Sequence, residues 1–175
     1  FITIAEKNGA IIPLGEFVLR EACSQSKEWK EAGHPFFKVT VNLSLVQLLE
    51  KDFIKKTLQT LEESAIDPVD LELEITENIA MLDPEGVRVR LLALQGIGVR
   101  VILDDFGAGY SNLGHLNHLH FDGLKIDGQF IKQSLETIKN TKLMASIINL
   151  ARSIDLNIVA EGVETKEQLD MLKKM

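Results

Sequence analysis

Apolar and polar residues follow two different periods along this chain, and the two periods alternate from segment to segment. Short runs with β-branched residues or strict apolar–polar alternation predict strands, whereas apolar residues spaced three and four apart predict helices. Strands that alternate with helices favour a parallel sheet with right-handed crossover connections. The predicted strands are Lys38–Asn42, Asp70–Ile75, Val99–Leu103, Gly123–Ile126 and Asn157–Ala160.

Three of the predicted helices are recognised by an apolar face. The first extends from about Leu14 to Trp29, the second lies between the first two strands, and the third precedes the last strand. We expect each face to pack against the sheet. The faces are Leu14, Phe17, Val18 and Ala22 in the first helix, Ile54, Leu58 and Leu61 in the second, and Leu143, Ile147, Leu150 and Ala151 in the third.

Two further helices are predicted from their ends. Asp83 directly precedes Pro84, and a capping Asp followed by Pro at the first helical position is typical of a helix start. Gly96 is expected to end this helix. Thr165 with Gln168 resembles a capping box, which predicts the start of a last helix.

The order of elements fits two architectures. An open doubly wound sheet and a (β/α)8 barrel both consist of parallel strands joined by helices. A complete barrel takes about 250 residues, so a barrel made from these 175 residues would be incomplete. The spacing of the strands alone leaves both architectures open.

A polar residue stands at the end of every predicted strand. In a parallel α/β fold these ends lie at one rim, where active sites form. If the side chains point inward, four carboxylates, one amide and one ammonium group converge on a single mouth. A single polar strand end is most simply a solvated residue, but five together favour a functional site. The residues are Asn42, Glu74, Asp104, Asp105, Lys125 and Glu161.

Carboxylates gathered in this way predict a bound cation, because like charges in a low-dielectric site repel one another. The expected ligands are all oxygen atoms, which favours Mg²⁺ or Mn²⁺ over zinc or copper. The adjacent pair Asp104 and Asp105 can contribute one carboxylate to each of two ions. Two ions about 3.5–4 Å apart suit in-line phosphoester hydrolysis by a bridging water. Lys125 can hold that water or a phosphate oxygen.

Two more glutamates lie close to this rim in the sequence. Glu77 follows Glu74 by three residues, and Glu164 follows Glu161 by the same interval. Each is either a solvated loop residue or an anchor that steadies a neighbouring loop.

Composition excludes several other classes. Hydrophobic residues make up 45 % of the chain and charged residues 26 %, which is typical of a packed globular protein. The net charge of −7 argues against a nucleic-acid polymer as partner. Cys23 is the single cysteine, so no intramolecular disulfide forms and a cytoplasmic location is expected. No apolar run reaches about 18 residues, so no membrane contact is expected from this segment.

Five segments of the chain resemble the motifs of the EAL domain, the family of bacterial cyclic di-GMP phosphodiesterases. They occur in the family's order and at approximately its spacing, and the resemblance covers essentially all 175 residues. The opening stretch from Phe1 to Gly9 is also similar to the one that follows the family's first strand. The five segments are Asn42–Ser44, Glu74–Glu77, Asp104–Gly107, Lys125–Asp127 and Glu161–Glu164.

The resemblance implies a modified TIM-type (β/α)8 barrel that hydrolyses cyclic di-GMP to linear pGpG with Mg²⁺ or Mn²⁺, two ions being expected. Asp105 matches a ligand of the second metal, and Lys125 matches the lysine that contacts the catalytic water. Together with Glu161 these are the expected catalytic residues. Glu77 and Glu164 match glutamates that are expected to stabilise loops. The residues that match ligands of the first metal are Asn42, Glu74, Asp104 and Glu161.

Three features of the family are missing from these 175 residues. They are the Glu-Ala-Leu strand with its metal-binding glutamate, the arginine after it, and the closing Gln-Gly segment. We therefore expect residues 1–175 to be a single, partial EAL-type domain that lacks the first strand and the C-terminal end of the barrel. In addition, Ala108 stands where many members have Thr.

The resemblance also implies partners and alternatives. Family members commonly lie beside sensor or GGDEF domains and often dimerise, so a fused domain, in a parent protein that can be membrane-anchored, and a homodimer are expected. The alternative function is a catalytically inactive module that binds cyclic di-GMP or a protein partner, and the upstream glutamate would discriminate the two. An open-sheet Mg²⁺ phosphatase outside the family fits the acidic strand ends but not the five motifs in register.

Overall fold

The computed structural model describes residues 1–34, 37–77, 82–107 and 119–175. These residues form two compact units, Phe1–Val101 and Ile102–Met175, which we call unit 1 and unit 2. Ala108, whose identity differs from the family pattern, lies outside the described residues.

Unit 1 contains two parallel strands with helices before, between and after them. Strand β1 pairs with β2 in parallel, and Asn42 stands opposite Glu74 in that register. Helix α2 packs against β1 and against α4. The elements are α1 (Ile2–Asn8), α2 (Ile11–Glu31), β1 (Val39–Asn42), α3 (Leu45–Leu48), α4 (Phe53–Ser64), a 3₁₀ turn (Pro68–Asp70), β2 (Leu71–Thr76) and α5 (Pro84–Gly96).

Unit 2 contains three parallel strands, of which β4 is the middle one. Its side chains Leu124 and Ile126 are completely buried, and α7 packs against β5 and α6. The elements are β3 (Arg100–Phe106, which begins in the last residues of unit 1), β4 (Gly123–Ile126), α6 (Gly128–Ser134), α7 (Ile138–Ser153), β5 (Asn157–Ala160) and α8 (Lys166–Leu172).

The predicted strands and helix ends agree closely with these elements. Each predicted strand is present, although β3 continues three residues beyond Leu103. Asp83 caps α5 by accepting a hydrogen bond from the Gly86 amide. Thr165 and Gln168 form a complete capping box at the start of α8.

The predicted helix faces were partly wrong. Phe17 and Val18 of α2 are exposed, as are Leu58 of α4 and both Leu143 and Leu150 of α7. In α2 and α4, small or hydroxyl-bearing residues take inward positions instead, because they let a helix lie close to its neighbours. In α7, Met144 and Ile148 take them. The buried residues are Ile11, Leu19, Cys23 and Ser26 in α2, Phe53, Thr57, Leu61 and Ser64 in α4, and Met144, Ile147, Ile148 and Ala151 in α7.

Three short helices, α1, α3 and α6, were not predicted. They contain four to seven residues, which is too short for a helical period to repeat.

Among the helices that the structure describes, none combines the length and the hydropathy that a membrane span requires.

A cavity of about 30 Å³ lies in unit 1 between the helices and the two strands. Leu19 of α2, Val41 of β1 and Leu73 of β2 contribute to its lining, together with charged residues such as Lys56. Asn42 and Glu74 are not among the lining residues. The cavity is therefore separate from the polar strand ends, which are considered next.

Candidate functional site

In unit 1, the polar strand ends belong to neighbouring strands in register. Asn42 is the last residue of β1, and its backbone partner on β2 is Glu74. The pairing continues for one more residue, because the Leu43 amide donates to the Glu74 carbonyl at 2.8 Å. Leu73 and Ile75 lie on the apolar face of β2, and Glu74 lies on the opposite face. Glu74 is nevertheless only 6 % exposed. A charged carboxylate this buried requires a hydrogen-bonding, cationic or metal partner.

In unit 2, the paired aspartates stand at an irregular point of β3. The register between β3 and β4 shifts between Leu103 and Phe106. Asp105 adopts a left-handed conformation with φ of 57°, and its amide donates to Asp104 Oδ1 at 2.9 Å. As a result the two adjacent carboxylates differ in environment, since Asp104 is buried and Asp105 is exposed.

Lys125 is the cation that lies among these carboxylates. Its ammonium nitrogen is 2.6 Å from Glu161 Oε1 and 3.5 Å from Asp104 Oδ1. The lysine side chain is 16 % exposed, compared with 40 % for that of Glu161. The structure thus brings Asp104, Lys125 and Glu161 together within unit 2.

The electrostatics of this group are dominated by negative charge. The pKa of Asp105 is raised above its usual value, first by partial desolvation and then by the charges of Asp104, Asp127 and Glu161. Lys125 acts in the opposite direction but does not outweigh them. Four carboxylates and one ammonium group therefore leave an excess of negative charge at the ends of β3, β4 and β5.

Asp127 ends one of the five matched segments, but no role was predicted for it from the sequence. It follows Lys125 by two positions, so the strand period already places both on one face. Its side chain caps α6 by accepting from the Gln129 amide at 2.8 Å, and its charge contributes to the raised pKa of Asp105. The i+2 spacing from Lys125 was the signal that could have identified it.

Glu161 is held in position by its backbone. Its amide donates to the Ile126 carbonyl at 3.0 Å, which continues the parallel pairing of β4 with β5. The next residue, Gly162, has φ of 62°, and a Cβ atom there would lie 2.9 Å from the Cα of Gly128. The segments that follow β4 and β5 therefore touch through two glycines, which keeps Glu161 close to Lys125.

The structure describes only part of the surroundings of Glu77 and Glu164, the two predicted loop-stabilising residues. Glu77 follows β2 directly and is half-buried. Residues 108–118, which follow the paired aspartates in the sequence, lie outside the described residues. The backbone of Glu164 donates to Gln168 Oε1 at 2.7 Å at the start of α8, while its side chain is exposed. The roles of both side chains stay predictions.

The donors fit a hard divalent cation in chemistry and charge. In unit 2 they are carboxylate oxygens, which are ligands that Mg²⁺ and Mn²⁺ prefer. The pKa of Asp105 is raised first by desolvation and then by the neighbouring carboxylates Asp104, Asp127 and Glu161. Within the described part of the chain, no three His, Cys, Asp or Glu side chains form a group that could hold an ion. The fit is therefore one of donor type and electrostatics.

Comparison with known sequences supports the resemblance found in the motifs. The EAL domain family model matches residues 1–175. The bifunctional diguanylate cyclase/cyclic di-GMP phosphodiesterase MucR of Pseudomonas aeruginosa is 38 % identical over 175 residues, which are 100 % of this chain and 26 % of MucR. The cyclic di-GMP phosphodiesterase NbdA of the same organism is 36 % identical over 99 % of this chain and 22 % of NbdA. The chain thus spans about a quarter of these curated relatives.

Comparison with solved structures confirms the predicted fold class. The PaMucR phosphodiesterase in complex with c-di-GMP matches with a TM-score of 0.91 and 38 % sequence identity. The match covers 99 % of this chain and 70 % of that one. EAL domains have a TIM-like barrel, and the α/β arrangement of parallel strands described above agrees with it.

Proposed function

Because the chain belongs to the EAL domain family, we propose that it is the catalytic part of a metal-dependent phosphodiesterase that hydrolyses cyclic di-GMP to linear pGpG. The observation that carries the proposal is the position of Lys125 between Asp104 and Glu161. A half-buried cation held by two carboxylates is suited to orient an oxygen atom of water or phosphate. The proposal treats residues 1–175 as one partial domain in the cytoplasm.

The proposed cofactor is Mg²⁺ or Mn²⁺, with two ions per site. In unit 2, Asp104 and Glu161 are the proposed ligands of the first ion and Asp105 that of the second. Asn42 and Glu74 of unit 1 are assigned the same role, metal ligation, on the family resemblance alone. Bound divalent ions would supply charge neutralisation at the phosphate and a lower pKa for the attacking water.

The residues of unit 2 have separate tasks in this proposal. The Lys125 ammonium donates a hydrogen bond to the attacking oxygen and holds it in line with the phosphorus. Its pairing with Glu161 at 2.6 Å fixes the direction of the ammonium, since a flexible lysine needs a partner to be oriented. Asp104 accepts from the Asp105 amide, which fixes the direction of its carboxylate. Preorganised groups of this kind favour the transition state because they need no rearrangement during the reaction.

The proposal includes partners as well as chemistry. Cyclic di-GMP is the proposed substrate, and a homodimer and a fused sensor or GGDEF domain are proposed in the whole protein. Relatives support the last point, because this chain corresponds to only 26 % of MucR, a bifunctional protein.

The decisive experiment is incubation of the full-length gene product with cyclic di-GMP and either Mn²⁺ or Mg²⁺. Products are separated by chromatography, with a chelator and the variant Asp104→Asn as controls. We expect pGpG to appear with the metal, and to be absent with the chelator and in the variant. Binding of an intact nucleotide would instead support a receptor, and the absence of both binding and cleavage would contradict the assigned substrate.

A further inference from the structure

The residue that follows β3 packs directly against an aromatic ring of α6. Gly107 has φ of 95°, a conformation that favours glycine. A Cβ atom on Gly107 would lie 2.8 Å from Cγ and 2.9 Å from Cδ1 of Phe130, which is closer than real Cβ atoms approach. The ring of Phe130 thus takes the space that a side chain at position 107 would need.

A second contact ties the same two segments together. The Asp127 amide donates a hydrogen bond to the Phe106 carbonyl at 3.1 Å, and Asp127 is also the residue that caps α6. The start of α6 therefore holds two successive residues at the end of β3, Phe106 by a hydrogen bond and Gly107 by packing. Both contacts lie within unit 2.

These contacts matter because Asp105, the residue before Phe106, has a positive φ. Asp105 is not glycine, yet its φ is 57°, a conformation that aspartate adopts more readily than most residues but that is still less favourable than a negative φ. On one side, the Asp105 amide is held by Asp104 Oδ1. On the other side, Phe106 is 1 % exposed, and Gly107 rests on the Phe130 ring.

We propose that Phe130 is a positioning residue. Its ring packs against Gly107 and thereby holds the carboxylates of Asp104 and Asp105 in the orientations that the reaction requires. This inference rests on the proposed function for its catalytic consequence, although not for its geometry. Phe130 itself is half-buried, and it acts through the backbone rather than by touching substrate.

The neighbouring residue separates this role from ordinary packing. Ile131 is completely buried and belongs to the same helix, but the three atoms nearest to a Cβ atom on Gly107 all belong to Phe130. Loss of packing at Ile131 should lower stability without redirecting the aspartates. Substitution of Ile131 therefore provides a matched control for substitution of Phe130.

The test compares Phe130→Ala, Phe130→Tyr and Ile131→Val in the full-length gene product with cyclic di-GMP and Mn²⁺. We expect Phe130→Ala to lower kcat by about 10- to 100-fold, since small misplacement of reacting groups has effects of that size, while KM changes less than about threefold. Phe130→Tyr, which retains the ring, should restore most of kcat. Ile131→Val should lower Tm and leave kcat within about twofold of the wild type.

Amide hydrogen exchange gives a readout that does not depend on catalysis. Phe130→Ala should accelerate exchange at Asp105 and Asp127, whose amides make the hydrogen bonds described above, but not at Leu124, which is completely buried inside β4. If the wild type proves inactive and this local change is observed, the positioning contact stands and the proposed function fails.

Two results would overturn the inference itself. One is an active wild type whose kcat is the same as that of Phe130→Ala. The other is an amide exchange rate at Asp105 and Asp127 that is the same in the variant as in the wild type. If Phe130→Ala does not fold, Phe130→Leu replaces it, because leucine keeps the apolar volume but lacks the flat ring on which Gly107 rests. The same two results for that variant would decide against the inference.

Discussion

The ammonium nitrogen of Lys125 lies 2.6 Å from Glu161 Oε1, so β4 and the residue after β5 are joined by an ion pair at their carboxyl ends. The same nitrogen is 3.5 Å from Asp104 Oδ1 at the end of β3. Lys125 of β4 therefore forms ion pairs with carboxylates that lie at the ends of both strands beside it, β3 and β5. Its removal has consequences for charge as well as for catalysis.

Substitution of Lys125 by methionine should affect both stability and turnover. The variant keeps an apolar side chain of similar length but leaves Asp104, which is 8 % exposed, without that cation. Removing one partner of a buried charge pair is destabilising, so we expect a lower Tm in metal-free buffer. Turnover of cyclic di-GMP should fall by about 100-fold or more, because the loss of one preorganised hydrogen-bond donor has effects on that scale.

Lys132→Met is the matched control, since Lys132 is an exposed residue of α6. It should change neither Tm nor turnover measurably. Calorimetry and initial-rate measurements on both variants check the prediction. Equal behaviour of the two variants would contradict the role assigned to Lys125.

Substitution of Asp105 by asparagine should stabilise the metal-free protein at neutral pH. Partial desolvation and neighbouring carboxylates raise the pKa of Asp105 in the folded state, so the folded chain binds its proton more tightly than the unfolded chain does. Stability must then fall as pH rises from the unfolded pKa, about 3.9, through the raised folded pKa. Asparagine removes this loss, and the gain in Tm should disappear as the pH is lowered towards about 4.

A control for this prediction must share the backbone conformation, because asparagine is itself favourable at positive φ. Asp155 has φ of 58° against 57° for Asp105, and it is not among the charges that act on Asp105. Thermal unfolding at several pH values should show a pH-dependent gain for Asp105→Asn only. A gain of the same size and pH dependence for Asp155→Asn would attribute it to backbone preference.

Substitution of Gly162 by alanine should lower stability more than the same change at another glycine with positive φ. A Cβ atom on Gly162 would lie 2.9 Å from Gly128 Cα, whereas one on Gly9, with φ of 78°, meets nothing within 4 Å. Both variants carry the conformational penalty of about 1 kcal/mol, but only Gly162→Ala adds a backbone clash. We expect its free energy of unfolding to be lower by at least about 1 kcal/mol more than that of Gly9→Ala.

Urea titrations of the two variants provide this comparison. Because Glu161 precedes Gly162, the clash should also move the carboxylate away from Lys125 and reduce turnover, which Gly9→Ala should leave unchanged. Equal losses of stability would mean that the segments after β4 and β5 separate at little cost.

Strands and helix caps could be predicted because their signals are local. The alternation in Leu71–Thr76 and the cap at Asp83 depend on residues a few positions apart, and the structure contains both. Helix faces were less predictable, because Ser26 and Thr57 are buried although each carries a hydroxyl group. Which stripe of a helix is buried depends on what it packs against, and the sequence of the helix alone does not contain that information.

For the candidate site, the residue types were readable but their conformation was not. The acidic strand ends were selected from the sequence, and their functional roles stay predictions. The register shift of β3 and the left-handed Asp105 depend on pairing with β4 and on the start of α6. Phe130 was not selected either, since its contact with Gly107 joins segments that are separated by more than twenty residues.

Cys23 should make the stability of the protein fall in alkaline solution. Its side chain is 0 % exposed, and burial raises the pKa of the thiol from 9.0 to about 11, although a hydrogen bond from Ser64 acts in the opposite direction. The unfolded chain therefore releases the thiol proton at a pH where the folded chain still holds it. By linkage, the free energy of unfolding decreases as pH rises between these two values.

The expected decrease from this group is about 1 kcal/mol between pH 8 and pH 10, since one pKa unit corresponds to roughly 1.4 kcal/mol. Cys23→Ala provides the comparison, because all other groups titrate alike in both proteins. The variant should be less stable at pH 8, where it lacks buried volume, but it should lose less on going to pH 10. Urea titrations at the two pH values give the difference, and identical losses in both proteins would refute a thiol held neutral by burial. Native Cys23 should also resist thiol reagents at pH 8, because the thiolate is the reactive form, and should react once urea unfolds the chain.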